Sequence, residues 1–173
     1  MKITKFAPIA IAVALIIAVP AFADTMSVPT AANAAYTFDV PSSWKPKANA
    51  GDESVEATAP GDHAYLSAWL VKTSDKDAEQ ALSKDLENTL KDAMKSVDKG
   101  ATQTTIDVNG TSIIVVKGSG VDKRAGNKVQ FRVALFDAGT DKVGIVYADY
   151  DNNAPDDTMK ELQGIIGSIK VKK

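Results

Sequence analysis

The chain contains no cysteine and a single histidine, His63. Without thiolates and with one imidazole, zinc sites of the usual Cys/His kind and thiol chemistry are excluded, and no disulfide framework can form. No G-x-S-x-G occurs, and any Ser-His-Asp arrangement would have to use His63,. A glycine-rich phosphate loop is missing too: Gly118-Ser119-Gly120 with Gly126 has neither dinucleotide-loop nor phosphate-loop spacing,. A strongly basic stretch is also missing: 20 Lys+Arg stand against 22 Asp+Glu. That balance gives no concentrated positive surface for nucleic acid. No apolar run reaches the ~20 residues that span a bilayer.

What is present begins with an export signal. Lys2 and Lys5 precede an uncharged apolar run from Phe6 to Val19, closed by Pro20-Ala21-Phe22-Ala23. This is the pattern of a signal peptide over 1–23, with cleavage expected after Ala23. The absence of cysteine leaves a bacterial lipid anchor no thiol to modify. The mature chain is expected to be periplasmic or secreted, with no stable membrane insertion once the signal is cut. Its removal takes two lysines and no acids, so the mature chain carries 18 bases against 22 acids, a net of −4. About 150 residues are enough to bury a self-sufficient core as one domain.

Residues 24–35 show no clear period and read as a flexible lead-in to a single domain over 36–173. Tyr36, Phe38 and Val40 alternate as a strand that Pro41 ends, and Trp44 is placed to fold back over the strand end as an anchor,. Ser54–Ala59 and Ala64–Lys72 form a hairpin around Pro60-Gly61-Asp62-His63. The second arm is apolar on both faces, with Tyr65, Trp69 and Val71 on one and Leu66, Ala68 and Leu70 on the other, as in a mid-sheet strand,. From Ala78 an apolar stripe of helical period runs to position 97, with Ser74 and Asp77 as a capping box and Gly100 as the stop,.

Four strands follow. Thr102–Val108 and Thr111–Ser119 meet at Asn109-Gly110, a tight-hairpin signal. Val129–Asp137 and Lys142–Tyr150 meet at 138–141. The charged connection 118–128 reads as a mobile loop, and the face of Gln130, Arg132, Ala134 and Phe136 as thinly covered. Asp156 and Asp157 open a last helix striped by Met159, Leu162, Ile165 and Ile166, and 169–173 is a short tail,. The order β-β-β-α-β-β-β-β-α predicts an α+β fold, an α/β/α sandwich whose twisted antiparallel sheet of six to seven strands has helices on both faces.

The stretch Tyr36-Thr37-Phe38-Asp39-Val40-Pro41-Ser42-Ser43-Trp44, this element order and the ending Gly167-Ser168-Ile169-Lys170-Val171 resemble the PsbP-like α/β/α superfamily. That superfamily includes extrinsic proteins of the oxygen-evolving complex, DcrB-like bacterial envelope proteins and a Ran-GTPase binder. The matching motifs are structural and transfer no functional residue. The resemblance implies binding and assembly roles over catalysis.

Candidate sites are few. Asp149-Tyr150-Asp151-Asn152-Asn153 starts like a calcium loop, but Ala154 replaces its glycine and Lys160 its bidentate glutamate,. A strand end and helix cap explain it, and no metal or other cofactor is expected. Tyr65, Trp69, Tyr147 and Arg132 could line a groove left where the final helix covers the sheet incompletely. Aromatic residues on two-sided strands are more often core. No convergent acid–base set can be assembled, so no catalytic residue is assigned and the chain is read as a non-enzyme. The expectation is an exported, non-enzymatic binding or assembly factor of the bacterial cell envelope with a protein partner. The alternatives are a small metal-independent hydrolase and a small-ligand carrier using the aromatic groove.

Overall fold

A computed structural model of the chain describes residues 23–49, 51, 53–73 and 78–172. The predicted signal segment before Ala23 and the Ser74/Asp77 capping box lie outside the described residues. Among the described residues, eleven strands and two α-helices run in the order β1 (Ala23–Val28), β2 (Tyr36–Pro41), β3 (Lys47–Asn49), β4 (Ser54–Thr58), β5 (Ala64–Lys72), α1 (Ala78–Ala93), β6 (Met94–Val97), β7 (Thr102–Val108), β8 (Thr111–Asp122), β9 (Lys128–Asp137), β10 (Lys142–Asp151), α2 (Asp156–Gly167) and β11 (Lys170–Val171).

The expected α+β sandwich is observed, built on a large antiparallel sheet ordered β3-β4-β5-β10-β9-β8-β6, with β7 also paired to β8. A second sheet, β1-β2-β11, adds three short strands. On one face of the large sheet α1 lays Leu82, Leu86, Leu90 and Ala93 against Phe131, Val133, Ile145 and Tyr147. On the other, the small sheet and α2 bury Tyr36, Phe38, Trp44, Leu162, Ile165 and Ile169 against Leu66, Ile113, Ala134 and Phe136.

Alternation explains the layers. Successive side chains of β5, β9 and β10 point to opposite faces, and each face is apolar and needs cover. Cross-strand glycines make room for rings. Gly118 faces Phe131 in the β8–β9 register and Gly144 faces Phe136 in the β9–β10 register. A Cβ at either position would lie within 2.4 Å of the opposing ring. The Phe136 ring in turn meets Tyr36 edge-on at 4.9 Å. The Tyr36 hydroxyl lies 3.1 Å from the Trp69 carbonyl and 3.0 Å from that of Ile145, pinning the small sheet to the centre of the large one. Trp44 is fully buried, and its indole donates to Glu161 of α2 at 2.7 Å. Pro41-Ser42-Ser43-Trp44 is therefore a domain corner.

Four local expectations are corrected. The lead-in over 24–35 contains β1, because Met26 and Val28 reach the core and Thr25 donates to Asp39 at 2.7 Å. The first helix ends at Ala93, and Met94–Val97 becomes β6. Gly120 permits this: a Cβ there would stand 2.3 Å from the Ser96 carbonyl oxygen. The loop over 118–128 shrinks to 123–127, since β8 extends to Asp122. The Asp122 carboxylate ties that turn by accepting the backbone N–H of Ala125 and Asn127. The tail over 169–173 contains β11, paired with β2, behind a fully buried Ile169.

Candidate functional site

On the α1 side of the sheet a cleft of about 540 Å³ opens between β4, β5, β10, the C-terminal half of α1 and the β8–β9 turn. Such a volume is in the range of small-molecule or side-chain binding sites. Its floor comes from alternate residues of two adjacent strands. The β5–β10 register pairs Tyr65 with Asp149, Ser67 with Tyr147 and Trp69 with Ile145, so Tyr65, Trp69, Tyr147 and Asp149 share this face. Thr89, Asp92 and Ala93 of α1 form one wall, and Glu53 and Glu56 the other.

Each polar floor group has a partner. The Tyr65 hydroxyl donates to Glu56 Oε1 at 2.9 Å, and the Trp69 indole donates to Asp85 Oδ2 at 2.8 Å. Asp149 is buried. One of its oxygens accepts from the Tyr147 hydroxyl at 3.0 Å and the other from Arg124 Nη2 at 2.5 Å. Arg124 reaches in from the turn with its side chain 49% exposed, and its guanidinium carbon stands 4.7 Å from the Tyr65 ring centroid. That stacking is a cation–π contact over the face of the ring.

The environment shifts three of these groups. Burial pushes the Tyr65 phenol up to about 12, helped by its hydrogen bond to Glu56. Burial, then the Asp149 charge, raises Tyr147 further. Asp149 is also raised, because burial outweighs the opposing pull of Arg124,. Both phenols therefore stay protonated near neutral pH, and Asp149 is an acid whose charge needs Arg124 beside it.

Of the four groove residues expected from sequence, Tyr65, Trp69 and Tyr147 are brought together and Arg132 is not. The register places Arg132 opposite Ala148 and Lys117, on the face covered by α2, with its guanidinium 5.5 Å from the Tyr150 ring. There its Nε is buried without a hydrogen-bond partner. The groove also lies under the first helix rather than the last. Along the β9 face expected to be thinly covered, Gln130 is exposed and Arg132 only partly buried, while Ala134 and Phe136 are buried beneath the small sheet and α2.

Sequence reasoning missed Arg124, Asp149 and Glu56. A signal existed for Asp149: it shares parity with Tyr147 inside a buried strand, and a buried carboxylate needs a cation. Beside the cleft, His63 Nδ1 lies 2.9 Å from Asp151 Oδ2, while Asp151 Oδ1 accepts the Asn153 N–H. Asp149 and Asp151 of the partial calcium loop are thus already engaged separately. Among the described residues no three His, Asp or Glu side chains converge as a metal site.

No protein-family model and no curated protein matches the chain. Solved structures do. The Ran-binding protein Mog1p of Saccharomyces cerevisiae is similar over 86% of this chain and 96% of its own, at 15% identity and a TM-score of 0.53. A protein of Bacteroides thetaiotaomicron is similar over 80% of this chain at 11% identity and a TM-score of 0.50. This chain spans only 45% of that one. At such identities the likeness is one of fold.

Proposed function

We propose that this chain is an exported, non-enzymatic binding or assembly factor of the bacterial cell envelope, a PsbP-like protein whose α1-side cleft meets a protein partner. The observation that carries this reading is the state of the cleft. Its floor groups are engaged, Asp149 by Tyr147 and Arg124, Tyr65 by Glu56 and Trp69 by Asp85 of α1, while partly exposed aromatic surface lies between rims where Glu53 and Asp92 have no ion-pair partner among the described residues. Such a site offers contact area with fixed polar orientation, the composition of a recognition surface. A free general base is what catalysis would need, and phenols held protonated do not supply one. The Lys2–Ala23 signal pattern supports export, and a protein named for binding Ran has a similar fold, which supports a binding role by analogy only,.

A carrier for a small ligand is the second reading, favoured by the cleft volume alone. The test is affinity capture with tagged 24–173 from lightly cross-linked envelope fractions, beside Trp69→Ala and Lys160→Glu variants. The binding reading expects one enriched protein, lost with Trp69→Ala and kept with Lys160→Glu on the opposite helix. Protein recovered alone from every fraction counts against it and turns the search to ligands.

A further inference from the structure

The cleft carries more acid than base. Glu53, Glu56, Asp92 and Asp149 face one cation, Arg124. Neither Glu53 nor Asp92 has an ion-pair partner among the described residues. An aromatic floor and an acidic rim together select a cation with a flat or apolar stem, because ring faces and carboxylates both attract positive charge.

Arg124 shows how such a group sits. Its guanidinium lies over the Tyr65 ring and hydrogen-bonds the buried Asp149 carboxylate. Yet it comes from a short exposed turn, 123–127, held at its base by Asp122, and half of its side chain stays in solvent. The cation's partners are fixed in the sheet, whereas the cation hangs from a surface turn. A second depression, of about 400 Å³ and also lined by Arg124 and Asp149, lies on the far side of that side chain. A guanidinium leaving Asp149 thus has space to swing into.

We propose that the cleft receives an arginine side chain from the partner, and that Arg124 occupies that arginine's place in the free protein. Binding exchanges one guanidinium for another over Tyr65 and Asp149, so the buried carboxylate is never left unpaired. Arg124 then acts as an intramolecular competitor that lowers the apparent affinity by the fraction of time it fills the site. This rests on the binding reading above and names the chemistry that the cleft recognises.

The two tryptophans make the test direct, because Trp69 floors the cleft and Trp44 is buried on the opposite side of the sheet. Nitrogen-15-labelled 24–173 is titrated with acetyl-Gly-Arg-Gly-amide, and with acetyl-Gly-Glu-Gly-amide as control, while both indole N–H signals are followed. The arginine peptide is expected to shift the Trp69 signal saturably and leave Trp44 in place. Arg124→Ala should tighten that titration by about tenfold, the scale of a tethered competitor. Asp149→Asn, with an unmoved Trp44 signal as proof of folding, should weaken it by at least about tenfold.

A static Trp69 signal at millimolar peptide, or an equal response to the glutamate peptide, overturns the proposal. So does weaker binding in Arg124→Ala, which would make Arg124 part of the receiving site. If Arg124→Ala does not fold, Arg124→Gln serves, with the same tightening required. A partner captured through the cleft while the arginine peptide fails would preserve the binding reading and refute this one. Peptide binding without a captured partner would do the reverse.

Discussion

Trp44 and Trp69 lie on opposite sides of the large sheet, and each donates its indole N–H to a carboxylate on a helix. The distances are 2.7 Å to Glu161 and 2.8 Å to Asp85. Trp44 is nonetheless fully buried, while Trp69 floors an open cleft. The difference lies in the cover. On the Trp44 side, α2 is joined by the three-stranded sheet, whose Tyr36 and Phe38 fill the space that a lone helix leaves. On the Trp69 side the sixteen-residue α1 is the only cover among the described residues, and Ile114, near the far edge of that face, stays 37% exposed. An apolar strand face is a requirement for cover, and whether it becomes core or site depends on how much cover the rest of the chain supplies.

Alanine at the two tryptophans should break the symmetry most visibly. Trp44→Ala is expected to cost about 3–5 kcal/mol, the range for an aromatic deleted from a packed core. Trp69→Ala should cost about 1–2 kcal/mol, since water already reaches the cleft and no closed cavity is left. Urea unfolding of both variants measures this, and equal losses would contradict the contrast. Next, Gly144→Ala drives a methyl into the Phe136 ring on the sealed side, which has no room to yield. A loss of about 1–3 kcal/mol is expected in the same assay.

On the open side, Arg124→Ala should cost about 1–2 kcal/mol. That is less than breaking a fully buried pair, because Arg124 is half exposed,. The loss should largely vanish in an Asp149→Asn background, a coupling that a double-mutant cycle reads. Asp149 also sets a pH dependence. Its native pKa is raised by burial, so the native state holds that proton more tightly than the unfolded chain does. Its contribution is fully present below the unfolded value of about 4 and is lost as pH rises through the native value. Asp149→Asn cannot ionise, so its stability relative to wild type should climb from about pH 3 towards neutrality and then level off. A flat difference, or one of opposite sign, in pH-resolved unfolding would refute this. The smallest effect belongs to the sealed side, where Lys117 stands directly opposite Arg132. Lys117→Glu replaces that repulsion by attraction and should raise stability by about 0.5 kcal/mol.

Sequence made the layers legible where one strand or helix carried its own signal. Asn109 and Gly110 both adopt positive φ at the expected hairpin turn, and β5 alternates as its residues require,. The short strands were hidden because their reasons lie elsewhere in the chain. β6 depends on the missing side chain of Gly120, and β11 on a place beside β2. Arg132 was assigned to the wrong company because parity within β9 does not say which of its faces matches the Tyr65 face of β5. That relation passes through β10, where Tyr147 pairs with Val133 on one side and Ser67 on the other. Arg124 was invisible as a site residue for a similar reason, since Asp149, 25 residues away, gives it a role.

The central claim is that the open α1 side is the surface where a partner docks, and site-specific photo-cross-linking tests it most directly. A photoreactive phenylalanine analogue at Thr89, on the cleft wall, is compared in living cells with the same analogue at Lys160 on α2. One discrete adduct from position 89, abolished by Trp69→Ala and absent from position 160, is the predicted result. Adducts from position 160 alone, or from neither position, would contradict the assignment of this cleft as the docking surface.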